Sequence, residues 1–533
     1  MKFNLSDKKK APSLALVAFV LILLIGTAYA NSVKTPFYFD DYLFLADNHE
    51  MNRLSNLRYV FNKQRYFEIA GEHTYRPVPF VTYLILNQVF TNSPIYWRLF
   101  NLTLHFTSCF LFYLVLRRFG LAHWLALLCA SLFAVHTVNT VLINMITTNS
   151  EMMGGLLCLL SFYWYFKEGR FWRFGSIVVY LLAYFAKETY VVLPALCLVF
   201  SWWELRERFR WRAFIIQQLP YLLVACLCLY VSLVLMKHPL RGPVNYPGGS
   251  LASALMTFAV ALLYYLKIFF VPLGLTPIYE FPVFTSLLDW QVSASLFFLL
   301  IVLAVIVLGF KKQRAYAPFL SWFFIFLLPT SNIVPSGWIV NEWYLFLPLM
   351  GLIAGLLLLG HDLLEALQLN PQKPVLVSGI LFFIFLSYLT VQRNRVWQDP
   401  QKLWTGVLKK NPDNMKALTC LGNYLLEKQK YQEALEVYLQ AVKKHPRYAA
   451  NYLNAACAYD MLNQKEKAVR FYSASILLDE REPRAYSNLG SLLLRNGEYA
   501  KAKIILLKGL KITPENPTLN EYLRLVKSKL GGT

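Results

Sequence analysis

Two adjacent carboxylates, Asp40 and Asp41, stand in FYFDDYLFL, shortly after a long apolar run. Carboxylates beside a membrane segment are costly unless they are solvated or used. One of them can act as a general base toward an incoming hydroxyl; alternatively, the pair is solvated and caps the next short helix. A second pair, Lys187-Glu188, is enclosed by apolar runs in LLAYFAKETYVVLPAL. Charges so embedded are functional or satisfy each other, and the lysine can hold a lipid phosphate as a point charge. Arg76 follows Tyr75 in TYRPVPF and can fork onto a phosphate or snorkel to lipid headgroups. Lys267, within LLYYLKIFF, reads as a further buried cation, and Glu342, in SGWIVNEWYLFLP, opens a helix. A carboxylate suits a helix N-terminus, so a purely structural role for Glu342 stands beside a functional one. His136 and Asn149/Glu151 flank another polar turn, where a lone histidine reads as structural.

Together these are carboxylates, cations and aromatic rings, many on one predicted side of a membrane. Such a set suits an enzyme with a lipid-phosphate-linked donor: a cation holds the departing phosphate while a carboxylate takes the proton of the incoming hydroxyl. A glycine-rich nucleotide loop is missing, which disfavours an ATP or nucleotide-sugar enzyme. No cofactor is expected. A divalent metal would find only the Asp40-Asp41 pair and Glu342 as oxygen ligands, a thin set.

The elements that must position these residues are membrane helices. The chain has 533 residues, 57% hydrophobic and only 15% charged, with a mean hydropathy of +0.42. A soluble protein is about a quarter charged, so many segments here are solvated by lipid. The net charge of +22 would suggest nucleic acid in a soluble protein. Here the lysines and arginines cluster in short loops between apolar runs, as cytoplasmic loops do, and no nucleic-acid-binding motif is present. Six of the eight cysteines fall in apolar helices (Cys109, Cys129, Cys158, Cys197, Cys226, Cys228) and read as core thiols. A Cys420–Cys457 disulfide is open to the remaining two.

The stretch MKFNLSDKKK precedes an apolar run from Ala11 to Ala30, read as an uncleaved first helix with a cytoplasmic N-terminus. An amphipathic stretch, PVPFVTYLILNQVF, follows the first polar loop. Further apolar segments lie near 98–117, 121–138, 151–166, 173–186, 189–205, 213–236, 252–271, 292–310, 316–333, 342–361 and 375–391. Basic clusters at Arg117-Arg118, Lys167 to Arg173, Arg206 to Arg212 and Lys311 to Arg314 read as cytoplasmic. The loops near 32–75, 139–150, 187–188, 237–251 and 334–341 are then outside. Parity requires an odd number of crossings between Met236 and Lys311, so one segment does not span. The segment 252–271 is the candidate, re-entrant or interfacial, which leaves about eleven spans and an outside C-terminal domain.

After Arg395 the character changes. Pro412, Pro446, Glu480 and Pro514 are 34 residues apart, as are Gly422, Ala456 and Gly490, and Ala434, Ala468 and Ala502. This is the tetratricopeptide (TPR) period. Small residues fall where paired helices pack closely, and prolines where a helix cannot continue. Three repeats run from about 411 to 513, and a helix from Leu519 caps them. Such arrays present concave surfaces that bind peptides or proteins. The predicted fold is thus all-α: a polytopic membrane helix bundle over 1–392 with an outside loop over 32–97, a junction over 393–410, and a soluble TPR α-solenoid over 411–533.

The stretches FYFDDYLFLADN, TYRPVPFVTYLILN, LFAVHTVNTVLINMITTNSE, LLAYFAKETYVVLP, YYLKIFFVPLGLTP, LPTSNIVPSGWIVNEWYLFLPLMG and RNRVWQDPQKLWTGVLKKNPDNMKALTCLGN, in this order, resemble the TMTC family. These are transmembrane, TPR-containing O-mannosyltransferases of the GT-C superfamily. The resemblance implies inverting transfer of a sugar, mannose in eukaryotic members, from a polyprenyl phosphate to Ser/Thr hydroxyls of an acceptor protein. It implies an acidic base in the first outside loop. Asp40 takes the leading position and Asp41 follows, in a D-D/E-x-Y setting met only loosely because Tyr42 comes directly after. Arg76, Lys187 and Lys267 become candidates for the donor phosphate; Tyr75 and Glu342 support them, and Glu188 orients Lys187. The expected partners are the polyprenyl-phosphate sugar, an acceptor protein held by the TPR domain, and membrane lipid. The active site and repeats are expected on the periplasmic or luminal side. Two departures stand out: His136-Thr137 where the family has His-Pro, and Trp343 where it has an arginine after the glutamate. The alternative reading is a non-enzymatic membrane-anchored TPR scaffold, against which stand the many helices and their buried charges. A transporter is disfavoured because the membrane segments carry no inverted repeat.

Overall fold

The computed structural model describes residues 12–38, 40–71, 74–90, 93–205, 211–238 and 244–531. The charged N-terminal stretch, most of the Arg206–Arg212 cluster and part of the loop 237–251 lie outside them. Every regular element among the described residues is helical. The chain divides into two compact units, Met1–Gln398 and Asp399–Thr533.

The first unit begins with α1 (Leu14–Tyr29), whose N-terminus is capped by the Ser13 hydroxyl accepting from the Leu16 N–H. A loop of short turns holds α2 (Lys63–Ala70) and leads to α3 (Pro77–Phe90), the amphipathic stretch of the sequence. Then follow α4 (Pro94–Arg118), α5 (His123–Val135), α6 (Thr140–Asn144), α7 (Asn149–Tyr165), α8 (Arg170–Ala186), α9 (Leu193–Leu205) and α10 (Trp211–Tyr230). The unit closes with α11 (Leu251–Phe270), α12 (Trp290–Lys311), α13 (Tyr316–Leu327), α14 (Phe346–Ala366) and α15 (Gln372–Trp397). Each apolar segment expected from the sequence is a helix.

Eight helical stretches are long and apolar enough to cross a bilayer, and the pair α5 and α6, bent by 45°, would make a ninth. The protein is a multi-pass membrane protein. Small residues let these helices approach closely. A Cβ on Gly351 of α14 would stand 2.7 Å from the Phe319 carbonyl oxygen of α13, and one on Gly355 2.6 Å from Leu320 Cδ2.

Polar groups gather at the two ends of the bundle. At one end Arg118 pairs with Glu204 at 3.1 Å and donates to the Phe166 carbonyl, while Arg314 approaches Asp362 at 3.8 Å and Glu365 at 3.6 Å. These join the basic loops that the sequence grouped together. The other end lies one helix length away, ~30 Å for twenty residues, and α4 carries Arg98 there. The helix α11 packs against α12 and has both ends near this second end: Tyr246, just before it, donates to the Ile333 carbonyl, and its Phe269 carbonyl meets His136. It is one of the eight stretches long and apolar enough to cross, whereas the parity of the basic loops asks segment 252–271 not to span. Eleven crossings would also require α7, α8 and α13, which have 17, 17 and 12 residues.

The second unit opens with α16 (Pro400–Lys410) and stacks three helix pairs, α17 (Met415–Glu427) with α18 (Tyr431–Lys444), α19 (Ala449–Met461) with α20 (Lys465–Leu478), and α21 (Pro483–Arg495) with α22 (Tyr499–Ile512). The last helix, α23 (Pro517–Lys529), covers α22. The 34-residue columns have a geometric cause. Ala434, Ala456, Ala468 and Ala502 are fully buried, and a Cβ on Gly422 would meet the Tyr438 ring at 2.3 Å. The turn inside each pair uses one left-handed residue, Gln429, Asn463 and Gly497, also 34 apart. Cys420 and Cys457 are free thiols, and Cys226 is exposed rather than in a core.

Candidate active site

The polar end near Arg98 collects the first loop, the α5–α6–α7 turns, the Lys187 turn, the loop 271–289, the loop 328–345 and the end of α15. The first loop is fastened from several sides. Thr35 Oγ1 donates to Asn144 Oδ1 at 2.8 Å, Asn144 Nδ2 donates to Asn394 Oδ1 at 2.7 Å, and Tyr38 donates its hydroxyl to the Trp397 carbonyl. Asp41 is fully buried. Its Oδ2 accepts from the Tyr38 N–H at 3.1 Å, a reach back over one turn like that of a capping box, and its Oδ1 accepts from the Thr147 N–H at 2.9 Å. Arg98, also fully buried, lies 4.0 Å from Asp41 Oδ2 and donates to the Pro36 carbonyl at 2.6 Å. Burial pushes the Asp41 carboxyl above its ordinary range, while Arg98 and the Thr147 and Tyr38 N–H groups pull it back. Asp40, on the same turn, is only half-buried. The fold thus separates two chemically identical neighbours by burial: Asp41 is fully buried and holds the loop, and Asp40 keeps partial exposure.

Arg76 and Glu188 form a two-bond fork, Nε to Oε2 at 2.9 Å and Nη2 to Oε1 at 2.8 Å. Lys187 pairs instead with Glu151 at 3.1 Å. The expectation that Glu188 orients Lys187 is corrected: Lys187 is extended (φ −157°, ψ 121°) between α8 and the next turn, so the two adjacent side chains diverge to different partners. Glu151 is held in turn by the Tyr190 hydroxyl at 3.1 Å. Gly154 and Gly155 make room for this, since a Cβ there would meet the Tyr190 and Phe346 rings at 2.6 Å. Tyr75 is a packing residue; its hydroxyl donates to the Val60 carbonyl at 3.1 Å and burial pushes its pKa up to about 12. Leu45, Tyr75, Ile146, Met153 and Ala186 share one apolar cluster, which brings the Asp40–Asp41 loop beside both ion pairs.

Glu342 is 1% exposed and its Oε1 accepts from three donors, the Tyr279 hydroxyl at 2.6 Å, the Thr276 N–H at 3.0 Å and Arg393 at 3.2 Å. Burial, and then Glu342, raise the Tyr279 hydroxyl well above its ordinary value. Lys267 is not the buried cation expected. It is exposed in the last turn of α11, 5.9 Å from the Tyr264 ring, where a cation suits the helix C-terminus. His136 is structural, as read: its ring stacks on Phe269 and its Nε2 faces the Phe269 carbonyl at 3.1 Å.

Sequence reading missed Arg98, Tyr279 and Arg393, and it passed over Glu151 as a partner. Each was visible as a polar residue beside an apolar run, but its partner lies 36 to 63 residues away along the chain.

The tetratricopeptide repeat family matches residues 392–449 and 421–483, and a second tetratricopeptide repeat family matches 483–516. Mouse protein O-mannosyl-transferase TMTC3 is 22% identical over 498 residues, 85% of this chain and 54% of its own. Human protein O-mannosyl-transferase TMTC1 is 24% identical over 509 residues, covering 80% of this chain and 55% of its own. This chain resembles the TMTC proteins along most of its length. The nematode protein O-mannosyl-transferase F38B6.6 of Caenorhabditis elegans agrees, at 23% over 80% of this chain and 63% of its own. The chain spans about half the length of the TMTC relatives named first. Among solved structures, the Sgt2 TPR domain from Aspergillus fumigatus covers 22% of this chain and 79% of its own at 25% identity, with a TM-score of 0.21, too small a part to bear on the membrane unit.

Proposed function

We propose that this chain is a GT-C type membrane glycosyltransferase that moves mannose, or another hexose, from a polyprenyl phosphate to Ser/Thr hydroxyls of a protein bound by its repeats. The observation that carries the reading is Asp40, half-buried on a first loop that its neighbour Asp41 holds in place. Asp40 takes the proton of the acceptor hydroxyl. The acceptor oxygen forms its bond to C1 of the sugar from the face opposite the phosphate, and the C1–O bond breaks with its electron pair leaving on the phosphate. Configuration inverts.

The departing phosphate needs positive charge. Arg76 and Lys187 supply it beside the loop, each arriving with a carboxylate partner, Glu188 and Glu151. Those partners keep the cations aligned while the site is empty and yield to the phosphate, which takes a fork from Arg76 more strongly than from a lysine. Lys267, exposed on α11, meets the lipid phosphate from the membrane side. The arginine that the family places after its glutamate is replaced here by Trp343, but Arg393 brings a guanidinium to Glu342 from α15.

The test is transfer of labelled sugar from polyprenyl-phosphate mannose, glucose or arabinose to a Ser/Thr-rich protein extract by the purified chain. Transfer by the native chain that is lost in Asp40→Asn supports the reading. Transfer that survives Asp40→Asn and Asp41→Asn together refutes it.

A further inference from the structure

A groove of about 360 Å³ opens between α1 and α15, lined by Thr27, Ser387, Tyr388, Gln392 and Arg395 among others. It lies on a different face of α15 from the candidate active site. Tyr388, Gln392 and Arg395 follow the i, i+4, i+7 stripe of one helix face. Arg393, two residues from Arg395 and so ~200° around the helix, faces Glu342 instead.

The groove holds polar groups without partners. The Ser387 hydroxyl is buried and has no hydrogen-bond partner among the described residues. Arg395 is exposed, and no described carboxylate pairs with it. An unsatisfied buried hydroxyl is costly, and in one groove with an unpaired guanidinium two turns further along α15, ~12 Å by helix rise, it marks a place for an oxyanion. Below these groups the two helices are apolar and outward-facing: Phe19, Ile22 and Leu23 of α1 and Leu381 and Ile384 of α15 are all exposed. Both helices are long and apolar enough to span, so a bilayer covers these side chains.

We propose that this groove binds one anionic phospholipid, its phosphate on Arg395 and Ser387 and its acyl chains along the exposed faces of α1 and α15. The charge of Arg395 selects an anionic headgroup over a zwitterionic one, and the apolar faces select a lipid over a free phosphate. An arginine near a membrane surface is worth about a five-fold preference for anionic lipid.

Native mass spectrometry of the full chain, purified in detergent and supplied with phosphatidylglycerol and phosphatidylcholine, tests it. The native chain is expected to retain one phosphatidylglycerol. Arg395→Gln retains it about five-fold less, and Arg395→Lys, which keeps the charge, retains it. Should Arg395→Gln not give a monodisperse protein, Ser387→Leu, which fills the groove and removes the hydroxyl, should show the same loss. Equal retention by the native chain and these variants overturns the proposal. So does equal retention of phosphatidylcholine, or displacement of the lipid by millimolar inorganic phosphate, which would make this a free-anion site.

Discussion

Replacing Arg98 by methionine should destabilise the membrane unit, and more at pH 8 than at pH 5. Arg98 and Asp41 are both fully buried, 4.0 Å apart. Removing one member of a buried pair costs roughly 3–5 kcal/mol, because the other charge is left unpaired. Asp41 keeps the Tyr38 and Thr147 N–H groups, and methionine fills much of the arginine stem, so the lower end, ~3 kcal/mol, is expected. The pH dependence follows from the direction of the carboxyl's shift. Burial already raises Asp41 above its ordinary value against the pull of Arg98; without Arg98 it rises further. A carboxyl raised in the folded state gives its full stability below the unfolded value, and that stability is lost as pH rises through the folded value. Arg98→Met extends the window upward. At pH 5 the variant relieves part of the cost by protonating Asp41; at pH 8 it bears most of it. The assay is the fraction of detergent-purified chain that stays monodisperse after a heating step, read by size exclusion at pH 5, 6.5 and 8. Equal loss at all three pH values, or none, refutes the reasoning. Arg98→Met with Asp41→Asn should lose less than the sum of the two single variants, since the pair is one unit.

Asp40→Asn should lower transfer by about 10²–10⁴-fold, whereas Asp41→Asn should lower stability first; transfer and melting measured on the same samples separate the two. Arg76→Lys cannot keep both bonds to Glu188, so stability should fall by about 1 kcal/mol and the KM for the polyprenyl-phosphate donor should rise. Tyr279→Phe removes the 2.6 Å bond to Glu342, a hydrogen bond to a charged group worth about 1.5–3 kcal/mol, readable as a lower melting temperature. In the repeats, Gly422→Val would drive a side chain into the Tyr438 ring, whose Cε1 lies 2.3 Å from the Cβ position. About 1–3 kcal/mol is lost by such overpacking, and tryptic cleavage of the repeats in the full chain should accelerate; an unchanged rate would mean that the helix pair can open at no cost.

The helices were legible because their signal is local. Lipid leaves an apolar run of fixed length, and the run needs no distant partner to be recognised. The repeats were legible for a related reason: the close approach at Gly422, Ala456 and Gly490 recurs every 34 residues, so three weak signals add into a strong one.

The site was legible in composition and not in pairing. Lys187-Glu188 reads as a self-satisfied pair, since adjacent opposite charges are the cheapest hypothesis. The extended backbone at Lys187 defeats it, and each side chain turns to a residue contributed by another segment, Glu151 or Arg76. Lys267 reads as buried because its neighbours are apolar, yet the exposed face of an apolar helix is apolar too, so sequence hydropathy does not distinguish a residue facing protein from one facing lipid. Asp40 and Asp41 are the sharpest case. Nothing in two successive aspartates says which is committed to the fold. The answer rests on Arg98 and the Thr147 N–H, groups brought in by α4 and by the turn before α7. A residue's availability for chemistry is thus set by partners far away in the chain. That is why perturbing Arg98, which the sequence did not single out, tests the commitment of Asp41 to the fold, while transfer by Asp40→Asn tests the role of Asp40.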